Sequence, residues 1–123
     1  MINIADKKIL VVEDDDMNYI YLKQAFKIMN AGFVRSKTGL SAVEACREQS
    51  FDIILLDLKL PDISGYEVIS EIRKFNGKIP IIVQTASKTP DEHNKAISLG
   101  CNGILVKPFK VDELYDVLRK FLM

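Results

Sequence analysis

Four short runs in this chain contain only Ile, Leu and Val: Ile9–Val12, Ile53–Leu56, Ile81–Val83 and Ile104–Val106. A strand with one wet face alternates apolar and polar residues, so a run that is apolar at every position must be covered on both faces. A parallel sheet with helices on either side meets that demand. The segments between the runs have the helical period: Leu22, Ala25, Phe26 and Met29 recur at i, i+3, i+4 and i+7, as do Leu114, Val117, Leu118 and Phe121. Phe33–Lys37 is a fifth and more polar strand candidate, which suits a sheet edge.

Helix punctuation agrees. Ser64-Gly65-Tyr66-Glu67 reads as a capping box, and Thr89-Pro90-Asp91-Glu92 repeats it with Pro at the first helical position. Gly32 and Gly100 fall where helices should stop. Five strands and five helices in strict alternation predict a single doubly wound α/β domain over residues 1–123, with no further output domain expected.

Composition removes other classes. Lys plus Arg and Asp plus Glu each number 17, so no net basic field exists to gather nucleic acid or an anionic membrane. Hydrophobic residues are 48%, too many for a disordered chain. No uninterrupted apolar run exceeds four residues, far below the roughly 20 a spanning helix needs. No charged-then-apolar leader opens the sequence, and Cys46 and Cys101 lack CxxC spacing, which argues against a disulfide framework or zinc site. The expectation is a cytoplasmic soluble domain.

Parallel strands place all their C-termini on one edge, where ligands bind. The residues just past the apolar runs are Glu13-Asp14-Asp15-Asp16, then Asp57, then Gln84-Thr85, then Lys107. Singly each has an ordinary explanation: Asp15 and Asp16 as helix caps, Thr85 as a turn hydroxyl, Lys107 as a solvated charge. The fold, however, brings them together from separate segments. Glu13, Asp14 and Asp57 so crowded would bind a cation or raise a pKa. Few carboxylates with room for water suit Mg²⁺ better than zinc. A carboxylate neutralised in this way can act as nucleophile toward phosphorus, with Lys107 and Thr85 placed to hold phosphoryl oxygens.

Ile9-Leu10-Val11-Val12-Glu13-Asp14, Asp52 to Pro61 with Gly65, Pro80 to Ala86, and Val106-Lys107-Pro108-Phe109 together resemble the receiver domain of two-component response regulators. The likeness covers essentially the whole chain, in order and spacing. It implies a flavodoxin-like sheet of order 2-1-3-4-5 and a stand-alone switch that helps its own phosphorylation and dephosphorylation. Asp57 would accept the phosphoryl group, and Glu13, Asp14, Asp57 and the main-chain carbonyl of Lys59 would hold Mg²⁺. Thr85 would sense the group, Lys107 would bind it, and the Lys107–Pro108 peptide would be cis. Its partners would be a sensor histidine kinase or histidine phosphotransfer protein and a downstream protein target, with no nucleic acid and no membrane. A monomer, or a weak phosphorylation-dependent dimer, is expected. Asn18 is similar to an Asn of receivers in hybrid kinases and phosphorelays, and otherwise reads as a surface helix residue.

One position departs from the pattern. Receivers usually carry Tyr or Phe three residues before the site Lys, and here it is Ile104. The expected readout is therefore a shift of the loop after Thr85, through Ala86, rather than a ring flip. Cys101 is expected as a small buried residue and His93 as an exposed helix residue. Competing readings are a receiver cut from a hybrid kinase or larger regulator, a Mg²⁺-dependent phosphohydrolase, and a flavodoxin-like nucleotide binder. The phosphohydrolase usually needs a second Asp two residues after the first, where this chain has Lys59. The nucleotide binder needs a Gly- and hydroxyl-rich phosphate loop, where this chain has four consecutive acids.

Overall fold

The structure is a computed structural model and describes residues 3–123. The chain alternates β1 (Lys8–Val12), α1 (Asp16–Ile28), β2 (Gly32–Ser36), α2 (Gly39–Glu48), β3 (Ile53–Asp57), α3 (Gly65–Arg73), β4 (Ile81–Thr85), α4 (Pro90–Leu99), β5 (Gly103–Val106) and α5 (Val111–Leu122). All strand pairs are parallel, and the sheet order is β2-β1-β3-β4-β5. The polar strand β2 lies at an edge, as its sequence predicts.

Alternate residues of the apolar runs feed two separate cores. Ile9, Val11, Ile53, Leu55, Ile82 and Leu105 pack under α1 and α5 with Leu22, Phe26, Leu114 and Leu118. Leu10, Val12, Ile54, Leu56, Ile81 and Val83 face α2, α3 and α4 with Val43, Val68, Ile69, Ile72 and Ala96. Each fully buried side chain of this kind contributes about 1.5–3 kcal/mol of transfer free energy. Two such layers explain why no polar residue interrupts the runs.

The predicted helix stops need one correction. Gly100 is left-handed at φ 119° and ends α4, as expected. At α1 the left-handed residue is Asn30, at φ 57°, and Gly32 instead opens β2. Asn tolerates this region because its short polar side chain bonds locally. Ser64 caps α3, its Oγ accepting from Glu67 N at 3.3 Å. Thr89 stands at the N-cap of α4 but makes no side-chain cap bond; its hydroxyl pairs with Ser87 Oγ at 3.0 Å.

Two contacts set how the helices sit against the site. A Cβ on Gly65 would lie 2.7 Å from both the Asp57 carbonyl oxygen and Leu58 Cα, so only Gly lets α3 start this close to β3. Gly65 N also donates to Leu58 O at 2.8 Å. Farther along, Arg73 binds the Gly100 carbonyl through Nε and Nη2, at 3.0 and 2.8 Å, and reaches Asn76 O and Asn102 Oδ1. Helix α4 is thus fastened at its C-terminal end, while along its length only Ala96 is buried.

Candidate functional site

The strand C-termini meet at one edge, as the alternation predicts. Asp57 ends β3 and pairs in register with Gln84, and Thr85 ends β4 opposite Val106. Asp57 is 8% exposed, Glu13 fully buried and Asp14 exposed. One carboxylate oxygen from each of these three lies within 4.8 Å of the others. Such a set, oxygen-only and with one member open to water, fits a hard divalent cation.

Lys107 answers the buried negative charge. Its Nζ lies 2.9 Å from Asp57 Oδ2 and 3.2 Å from Glu13 Oε1. Burial by itself would lower the Lys107 pKa, but the hydrogen bond to Asp57 and the charges of Asp57 and Glu13 outweigh it, and the ammonium is held above its ordinary value. Glu13 is also raised. Burial is the main cause, the Asn18 hydrogen bond works against it, and Asp57 adds to the rise.

Beside Asp57 opens a cleft of about 540 Å³, lined by Lys59, Tyr66, Thr85, Ala86, Ser87, Glu92 and Lys107 among others. Lys59 N donates to Asp57 Oδ1 at 3.1 Å, fixing the carboxylate from its chain-following side. Thr85 Oγ1 accepts from Ser87 N at 3.1 Å, which ties the hydroxyl to the loop that leads into α4. Ile104 lies apart from the cleft on β5, half-buried against the α2–α4 core and in register with Val83. The Lys107–Pro108 peptide is cis, as the resemblance implies.

Asp15 keeps its expected cap role, while Asp16, His93 and Asn18 depart from the surface or cap roles expected of them. Asp15 is the N-cap of α1, accepting from Met17 N at 3.0 Å, whereas Asp16 pairs with Arg35 at 2.8 Å. Arg35 also donates from Nε to Glu13 O at 2.9 Å and stacks over the Tyr19 ring. His93 is half-buried and its Nε2 meets Ser87 O at 2.8 Å, because the loop folds back over the first turn of α4. Asn18 is half-buried and binds Glu13 Oε1 and Gln84 Oε1. Sequence alone does not single out Gln84 or Tyr66. For Gln84 the signal is an amide in an otherwise apolar strand; Tyr66 carries none. Cys101 is buried, as expected.

No helix among the described residues is long and apolar enough to cross a membrane. The family model for the response regulator receiver domain matches residues 9–119. The probable transcriptional regulatory protein SilR of Salmonella typhimurium is 34% identical over 94% of this chain, and the match spans 50% of SilR. The chain thus spans about half the length of SilR. Sporulation initiation phosphotransferase F of Bacillus subtilis is 29% identical, over 97% of this chain and 96% of that protein. Among solved structures, the receiver domain of the sensor histidine kinase PA1611 of Pseudomonas aeruginosa, with magnesium in its active-site cleft, superposes with a TM-score of 0.87. It is 32% identical and the match covers 94% of this chain and 96% of that one. With this match over most of its length and the same sheet order, the chain belongs to the response regulator receiver domain family, the phospho-acceptor switches of two-component systems.

Proposed function

We propose that Asp57 accepts a phosphoryl group from a phosphohistidine of a histidine kinase or phosphotransfer protein, in a Mg²⁺-dependent reaction. The observation that carries this reading is Asp57 itself: a nearly buried carboxylate at the end of β3, paired with Lys107 and opening onto the cleft lined by Thr85. A carboxylate oxygen of Asp57 forms the new bond to phosphorus as the bond from phosphorus to the imidazole nitrogen breaks, and the imidazole leaves. Water later takes the phosphoryl group as inorganic phosphate and restores the carboxylate.

Glu13, Asp14 and Asp57, with the main-chain carbonyl of Lys59, would hold Mg²⁺. When bound, the cation supplies positive charge against the phosphoryl oxygens. Lys107 moves its charge toward a phosphoryl oxygen, and the Thr85 hydroxyl donates to another. The loop of Ala86 and Ser87 follows Thr85, so the surface around α4 changes for a downstream protein partner.

The unit is read as a cytoplasmic switch, a monomer or a weak phosphorylation-dependent dimer. Its arrangement as a stand-alone protein or as part of a longer regulator or hybrid kinase is decided by the mass of the endogenous protein. Incubation with acetyl phosphate and Mg²⁺ should add one base-labile phosphoryl group. Asp57→Asn should abolish it, and stoichiometric labelling of that variant would assign the acceptor elsewhere.

A further inference from the structure

Gln84 is the polar interruption in β4, and it is 1% exposed. It stands in register with Asp57 on β3 and Leu105 on β5. Its Oε1 accepts from Asn18 Nδ2 at 3.3 Å, and the same Nδ2 donates to Glu13 Oε1. These two bonds fix their own polarity. An ionised carboxylate only accepts, so Asn18 turns its nitrogen toward Glu13, and Gln84 must meet that nitrogen with its oxygen. The remaining Gln84 Nε2 has no partner. A buried donor left unmet is costly, and an apolar side chain would fill this strand position without that cost. The position is poor for packing and well suited to holding Asn18.

We propose that Asn18 and Gln84 are positioning residues for cation binding, keeping the Glu13 carboxylate turned toward Asp14 and Asp57 before the cation arrives. This rests on the reading of Glu13, Asp14 and Asp57 as the Mg²⁺ ligands. Glu13 Oε1 is also 3.2 Å from Lys107 Nζ, and Lys107 has to swing toward a phosphoryl oxygen. Asp15 N holds the other oxygen, Oε2, at 3.2 Å, but without Asn18 the Oε1 side would lose its hold at that moment. Asn18, on α1, and Gln84, on β4, supply an anchor that does not move with Lys107. Outer partners of this kind preset the ligand and lower the ordering cost of binding.

The test titrates MgCl₂ calorimetrically into metal-free wild type, Gln84→Met, Asn18→Ala and the double variant, alongside metal-free thermal melts. Gln84→Met should melt at or above the wild-type temperature, because the unmet donor is gone, yet bind Mg²⁺ about tenfold more weakly. A residue that served only the fold would show the opposite pattern. Because Gln84 acts through Asn18, the double variant should bind no more weakly than Asn18→Ala alone. Unchanged affinity in Gln84→Met, or losses that simply add, overturns the proposal. If Gln84→Met melts well below wild type, Gln84→Leu takes its place and the same affinity comparison decides. A wild-type protein that takes up no Mg²⁺ fails the metal-site reading and this proposal with it. Normal wild-type binding that is unaltered in the variants fails this proposal alone.

Discussion

Lys107 Nζ bridges Asp57 Oδ2 and Glu13 Oε1, at 2.9 and 3.2 Å, so a single ammonium serves two buried carboxylates. One positive charge against two negative ones leaves the edge of the sheet short of cation. The same ammonium that steadies the metal-free protein is the one proposed to release Asp57 and turn to a phosphoryl oxygen.

Removing it should therefore be costly. Lys107→Met should unfold about 2–4 kcal/mol more easily at neutral pH without metal, because both carboxylates stay buried unpaired. The Lys107 pKa is raised above 10.5, so its contribution is fully present below 10.5 and is lost as pH rises through the folded value. Glu13, raised above 4.5, favours the fold below 4.5, and that contribution is lost as pH rises through its folded value. The gap between wild type and variant should hold from neutral pH to about 10, close in stronger alkali, and shrink in acid as Glu13 takes up its proton. Denaturant melts across that range check it, and a gap of equal size at pH 3 and pH 7 would contradict it.

Asp14 is the exposed member of the acid cluster. Asp14→Asn removes the charge of a proposed Mg²⁺ ligand and some repulsion at once. Its Mg²⁺ affinity should fall by about tenfold or more, and phosphorylation by acetyl phosphate should slow with it. The metal-free melting temperature should stay level or rise. Equal Mg²⁺ uptake and equal phosphorylation in the two proteins would place the cation elsewhere.

Signal readout should separate from phosphorylation at Thr85. Thr85→Ala should still be phosphorylated at Asp57 but lose most of the backbone shift changes across residues 86–99 that a phosphoryl mimic produces. Ile104→Ala should cost about 1–2 kcal/mol of packing, at or below the low end for a buried aliphatic because Ile104 is half-buried, while keeping much of that response. Full shifts in Thr85→Ala, or their loss in Ile104→Ala alone, would refute this route.

The thiols should be inert in the folded protein. Burial pushes the Cys46 pKa up to about 11 and raises that of Cys101. At neutral pH roughly one Cys46 in ten thousand is then thiolate, the reactive form. Iodoacetamide should modify the native protein slowly, faster as pH approaches 11, and quickly in denaturant. Rapid labelling of native protein at neutral pH would show Cys46 to be less shielded than described.

The parts of this molecule legible in sequence are those written in local pattern. The all-apolar runs mark β1, β3, β4 and β5, and the acids, hydroxyl and ammonium after them converge because parallel strands share an end. Strand ends are less legible: Asp57, Gln84 and Thr85 still pair with neighbouring strands, although their polarity suggests loops. Asn30 takes the helix-stop role expected of Gly32, because either residue can follow a helix and only backbone geometry chooses between them. The Asn18–Gln84–Glu13 chain joins α1, β4 and the end of β1, and no spacing rule connects positions so far apart.

Gly65 has a mechanical consequence for the cleft. With α3 lodged directly against the backbone of Asp57 and Leu58, the wall that bears Asp57 has no slack. The facing wall is built differently: Thr89 leaves the start of α4 without a side-chain cap, Ala96 alone is buried along its length, and Arg73 grips the far end at Gly100. The cleft therefore works as a vice with one fixed jaw and one hinged jaw. A shift imposed at Asp57 should be taken up mainly on the α4 side, whose start is the less firmly held.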